Sequence, residues 1–319
     1  MVTGWLSYPM ARRLGVGRTE LSYRRCGIVL GLTARQKGKD LAVIDEKLIV
    51  VYSPQGGVGK TAVAVNLAAS LAREQEANVL LMDWDERGQA TQALGQSARS
   101  GVADWLVASD PGLYRQYLLA TSIKGLVLLP GTFALRAALQ FVATGIAAAK
   151  LSPTHLQDRV QALVDFGVSA GCPLGANAGS VYDYVVIDTT PVHYDHLPVK
   201  LLAVQPGTVV IPVAMDDMDL TQVQVAYDTV QDWTAESQVI FFPTFFHPRW
   251  KVTVANLDLL NATYPGCVMA PLPYRPALRV AQSAGLTIYE PGPRSDLVAV
   301  FAQLVRWIQQ GPDQILFGA

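Results

Sequence analysis

The sequence predicts an α/β fold with a mainly parallel β-sheet covered by helices on both faces, and three observations carry that prediction. Half of the 319 residues are apolar and 16% are charged, which supplies a large core and lies far from the composition of a disordered chain. Short β-branched apolar runs recur from Lys47 onward: Leu48 to Tyr52, Val79 to Met82, Leu126 to Leu129, Tyr184 to Ile187, Thr208 to Val213 and Val239 to Phe242. Each is followed by a longer segment with helical periodicity. Runs this continuous belong to strands buried on both faces, as in a doubly wound parallel sheet. The third observation is a glycine-rich loop between the first run and a helix.

That loop is the first chemical signal. Leu48 to Tyr52 runs into Ser53-Pro54-Gln55-Gly56-Gly57-Val58-Gly59-Lys60-Thr61, and Ala62 to Leu71 reads as a helix. Strand, glycine loop, helix is the order of a phosphate-binding P-loop. The glycines turn successive backbone N–H groups into one concavity, the helix adds its positive end, and Lys60 reaches the β- and γ-phosphates. Thr61 offers a hydroxyl to Mg²⁺. The strict pattern asks for glycine at position 54 and finds Pro54, while Gly56 to Thr61 remains intact.

One unit later, Asn78 to Asp85 ends a strand in two carboxylates, Asp83 and Asp85, where ligands of open α/β sheets bind. The segment Tyr182-Asp183-Tyr184-Val185-Val186-Ile187-Asp188 ends a further apolar strand in Asp188. A carboxylate there suits Mg²⁺, held directly or through water.

Taken in order, these segments resemble the ParA/MinD family of deviant Walker P-loop ATPases, on its ParA side. The likeness extends to Leu126-Val127-Leu128-Leu129-Pro130-Gly131, to Val209-Val210-Ile211-Pro212-Val213 and to Pro273-Tyr274-Arg275-Pro276-Ala277-Leu278-Arg279, and covers about Lys47 to Ile308. The resemblance implies a P-loop NTPase fold and an ATP hydrolase that dimerises around ATP. It also implies non-specific DNA binding in the ATP state, a DNA-bound ParB-like activator, and work in plasmid or chromosome partitioning. By motif match, Gln55, Gly56, Gly57, Val58, Gly59, Lys60, Thr61 and Ala62 hold ATP, Thr61 and Asp188 serve Mg²⁺, and Lys60 and Asp85 carry the catalysis. Adenine is expected against Thr244 and Pro273.

The departures from the family pattern are informative. Gln55 stands where members carry a signature lysine, and a neutral, shorter side chain cannot offset phosphate charge. This leaves open slow hydrolysis, a substitute cation, or a switch that works by binding alone, including an ATP-binding regulatory or scaffold protein. Glu86-Arg87 replaces Pro-Gln after Asp85, and Arg87 is one candidate cation.

Outside the motifs, 25 Lys+Arg against 26 Asp+Glu exclude a purely electrostatic nucleic-acid coat. Residues 1–45 are locally basic and are read as a disordered leader or a partial helix-turn-helix, the latter serving an autorepressor. The ATPase domain is expected over 46–310 and a tail over 311–319. Cys26, Cys172 and Cys267 are widely spaced, which describes neither a disulfide framework nor a zinc site and fits a reducing cytoplasm. No apolar run is long enough to span a membrane. Leu297 to Ile308 is expected to pack in the core rather than anchor to lipid, because the residues after it carry no basic side chain. His193 and His196 lie three apart with no third ligand in view. The least ordered stretch is expected at Ser169 to Ser180.

Overall fold

Strands β1 (Leu48–Val51), β2 (Val79–Trp84), β3 (Leu119–Ala120), β4 (Leu126–Leu129), β5 (Tyr184–Thr189), β6 (Thr208–Ala214) and β7 (Gln238–Thr244) form one sheet. Their order across it is β3-β4-β2-β5-β1-β6-β7. All neighbours are parallel except β3 on β4. The computed structural model describes residues 48–152, 154–156, 158–159, 182–190, 207–234, 237–290 and 295–311. The expectations for residues 1–45, for 169–180, for His193 and His196 and for 312–319 lie outside the described residues.

The six expected strands are all present. The alternation that periodicity could not resolve is visible in the packing: Leu48 and Val50 enter one core cluster, while Ile49 and Val51 enter the other. Each strand therefore feeds two apolar layers, which is why its sequence reads as an unbroken run. β3 is the element that sequence reading missed. It has two residues, both at least partly exposed at the sheet edge, too short a run to show any period.

Helices cover both faces, as expected. On one side lie α1 (Lys60–Glu74) and the short α2 (Gln89–Ala93). The opposite side is covered by α3 (Val102–Val107), α4 (Leu135–Ala147), α5 (Leu220–Trp233) and α6 (Lys251–Thr263). A short helix, α7 (Pro276–Ser283), follows β7, and α8 (Ser295–Gln310) closes the described chain.

In α8 the residues Leu297, Phe301, Leu304, Val305 and Ile308 are buried, at the spacing of a helical stripe. This stripe packs into the same core cluster as α1, and Phe301 meets Phe242 edge-on at 5.7 Å. The helix thus packs in the core. Among the described residues no helix is long and apolar enough to cross a membrane. Cys267 is buried.

Candidate nucleotide site

Strand register brings the motifs to one level of the sheet. Val51, the last residue of β1, lies opposite Asp188 of β5, and Asp188 lies opposite Asp83 of β2. The glycine loop, the second acidic segment and the third therefore meet at the carboxyl ends of adjacent parallel strands, where open α/β sheets bind ligands.

The loop has the backbone conformation its glycines permit. Gly57 and Gly59 have φ of 78° and 92°, the left-handed region that other L-residues rarely enter. Gly59 is the N-cap of α1, so Lys60 and Thr61 open the helix and its unpaired N–H groups face the loop. The Lys60 ammonium is buried and donates to the Gln55 carbonyl at 2.6 Å. Its pKa is lowered to about 8 because burial strips water from it, and Asp188 and Asp85 oppose that shift. Thr61 donates through its hydroxyl to Gln89 Oε1 at 3.3 Å.

Asp188 is fully buried, and neither of its carboxylate oxygens has a hydrogen-bond partner among the described residues. Burial raises its pKa well above the ordinary carboxylate range and the like charge of Asp83 adds to the rise, while the nearby Thr61 hydroxyl and Lys60 ammonium oppose it. An unpartnered buried carboxylate is costly unless something compensates it. A divalent cation fits that need. Among the described residues no cluster of three His, Cys, Asp or Glu could cage a metal by itself. Mg²⁺ takes one or two protein oxygens and completes its shell with phosphate oxygens and water.

Asp83 and Asp85 have different roles. Asp83 Oδ2 accepts from the backbone N–H of Thr91 at 2.8 Å and from the Thr91 hydroxyl at 2.6 Å, and Oδ1 accepts from the Asp85 N–H at 3.2 Å. It is a strut between β2 and α2, and its pKa is raised by burial. Among the described residues the Asp85 carboxylate accepts only from the Arg87 N–H, at 2.9 Å, and its pKa is raised mainly by burial. Sequence reading singled out the pair but not this division. Asp83 sits within β2, opposite Asp188, whereas Asp85 follows the strand's last residue.

A cavity of about 460 Å³ opens on the loop, lined by Gly56, Gly57, Gly59, Lys60, Thr61 and Ala62. Thr244 and Pro273 line it as well, so both residues expected beside adenine reach the same space as the phosphate loop. The Thr244 hydroxyl is committed to the Val58 carbonyl at 2.8 Å and the Val213 carbonyl at 3.3 Å, so Thr244 contributes shape and anchors the loop. Val58 is buried and acts through that carbonyl.

Gln55 does not line this cavity. It borders an adjoining one of about 330 Å³, where its amide donates to the Asp217 carbonyl at 3.3 Å. Neither Asp85 nor Asp188 lines either cavity. Three arginines reach the larger cavity: Arg87, Arg275 and Arg279. Of these, sequence reading had proposed only Arg87 as a cation for the site. The signal for the others was the spacing of 275, 278, 279 and 282, which is one face of a helix and lines the cavity together.

Glu86 pairs with Arg136 of α4 through two hydrogen bonds of 2.8 and 2.5 Å, so it braces the Asp85 loop from outside.

A family model described as an AAA domain matches residues 46–168. The chain is 36% identical over 167 residues to the chromosome-partitioning ATPase Soj of Thermus thermophilus, spanning 52% of this chain and 53% of that protein. It is 31% identical over 147 residues to the chromosome partitioning protein ParA of Myxococcus xanthus, spanning 46% and 44%. Over these segments the chain is similar to chromosome-partitioning ATPases of the ParA type.

The first curated relatives that it matches are spanned only in part, from 27% to 53% of their length. Among solved structures, an ATP complex of McdA from Cyanothece superposes with a TM-score of 0.66 at 17% identity, covering 84% of this chain and 97% of that one. At that identity the likeness speaks for the ParA/MinD fold alone.

Proposed function

We propose that the chain is an ATP-driven switch of the ParA type, which binds Mg·ATP, dimerises when loaded and hydrolyses ATP. The observation that carries the reading is the charge of the cavity. Its charged lining consists of Lys60, Arg87, Arg275 and Arg279, with no carboxylate among the described residues, on a chain whose formal net charge is −1. A concave site with four cations, a glycine loop and a helix N-terminus is built for a polyanion such as a nucleoside triphosphate.

In this reading Gly56 to Thr61 cradle the phosphates, and Thr61 and Asp188 hold Mg²⁺. When bound, the cation supplies neutralisation of charge on the β- and γ-phosphate oxygens. Asp85, buried and with one described backbone donor, orients the attacking water, and Lys60 stabilises the charge of the transferred phosphoryl group. Pro273 and Thr244 shape the adenine end. The relatives' names support chromosome partitioning as the output, and the proposal adds plasmid partitioning, non-specific DNA binding in the ATP state and stimulation by a ParB-like partner.

Light scattering on a sizing column with Mg·ATP, Mg·ADP and no nucleotide tests the switch. The expected result is a dimer with ATP alone, lost in Lys60→Ala. A monomer in all three conditions overturns it. Phosphate release measured with and without DNA and the partner then reads hydrolysis.

A further inference from the structure

The chain places a neutral Gln55 where its family resemblance calls for a cation, and besides Lys60 a further cation borders the same space as Gln55. Arg279 is, among the described residues, the one cationic side chain that lines both the larger cavity on the glycine loop and the smaller cavity beside Gln55. The other cations are differently engaged. Arg275 is ion-paired with Asp296 at 2.8 Å, and Arg87 faces Asp85, whose pKa its charge lowers. Among the described residues Arg279 forms no ion pair with a carboxylate.

What holds Arg279 in place is an aromatic platform. Its guanidinium lies over the Phe245 ring, 5.8 Å from the centroid. Phe245 in turn packs on the loop, with Cζ 3.9 Å from where a Cβ on Gly59 would stand. Phe245 adopts φ of 53°, uncommon for an aromatic residue, so the backbone is held in an unfavoured region where this platform forms. The order Gly59, Phe245, Arg279 sets a planar cation beside the residue that precedes Lys60. A guanidinium stacked on a ring loses little freedom on binding phosphate and can contact two oxygens at once.

We infer that Arg279 is a phosphate-binding residue acting within its own chain, supplying the β- and γ-phosphates with the positive charge that Gln55 does not. The inference rests on the nucleotide reading of the cavity and adds a residue to it. It also makes the ATP site of one subunit less dependent on a cation from a second.

Calorimetric titration of the full chain with ATP, ADP and AMP in magnesium buffer tests it, using the wild type, Arg279→Gln and Arg279→Lys. Arg279 is exposed on α7, so both long side chains suit the position, and thermal melts are compared alongside. Arg279→Gln is expected to weaken ATP about tenfold or more, as loss of a charge-assisted contact does, and AMP less than about twofold. Arg279→Lys is expected to fall between Gln and wild type for ATP. An equal loss for all three nucleotides, or unchanged ATP affinity in Arg279→Gln, overturns the assignment while leaving the site itself standing. A wild-type chain that binds none of the three overturns the nucleotide site, and Arg279 with it.

Discussion

Asp188 shows how one side chain can be wrong for the fold and right for a ligand. Its carboxylate is buried with neither oxygen hydrogen-bonded among the described residues, and burial holds it toward the neutral form. Asp188→Asn removes the ionisable group without changing its size. The expected outcome is a melting temperature equal to or above that of wild type, together with loss of the magnesium-dependent gain in ATP affinity. A melting temperature several degrees lower would mean that Asp188 is a structural partner. Glu86, which breaks the family pattern beside Asp85, is different. Its pair with Arg136 has good geometry, but the Arg136 side chain is 61% exposed, so the bond orients the loop more than it stabilises the fold.

At the scale of elements, the second acidic motif is held against the turn after β4 by a contact that tolerates no side chain. A Cβ on Gly131 would stand 2.4 Å from the Asp85 carbonyl oxygen and 2.9 Å from Asp83 Cγ. Gly131→Ala is therefore expected to destabilise by about 2 kcal/mol, the size of an overpacking strain, and to weaken nucleotide binding by displacing Asp85. Urea unfolding beside an ATP titration checks both. On the other side of α1, the Tyr289 hydroxyl hydrogen-bonds Ser70 and Glu74 at 3.1 Å each, and Arg73, ion-paired with Glu290, lies over its ring. Burial pushes the phenol up to about 12 from 10.0. The folded state then keeps this proton while the unfolded state has lost it, so stability present below pH about 10 falls as pH rises toward about 12. Tyr289→Phe should flatten that part of the stability curve. Equal slopes in the two proteins would count against the assignment.

Across the whole molecule, charge is distributed rather than large. A formal net charge of −1 coexists with a cavity whose charged lining is wholly cationic among the described residues, so electrostatic binding here is local and depends on the fold. The proposed DNA binding must likewise come from a local basic face. Its affinity is expected to fall with salt by a log–log slope of about −0.9 for each phosphate contacted, and to appear only with Mg·ATP. Filter retention across a salt series measures this, and binding that is indifferent to both salt and nucleotide would sink it.

Local signals read without a partner fixed a good deal. Strand runs, the glycine loop and terminal carboxylates depend on neighbouring residues along the chain, so the α/β class, all six long strands and the loop around Lys60 were legible. The two-residue edge strand Leu119–Ala120 was not, since it is held by pairing with β4 and has no period of its own. Nor was the separation of Asp83 from Asp85, because which carboxylate becomes a strut depends on Thr91 across the turn. The sequence by itself determined the fold class and the presence of a strand, glycine loop and helix in P-loop order. Only the tertiary structure decided that Arg279, more than two hundred residues from Gln55, stands beside the same loop, because closeness between distant segments is set by sheet order and packing rather than by spacing along the chain.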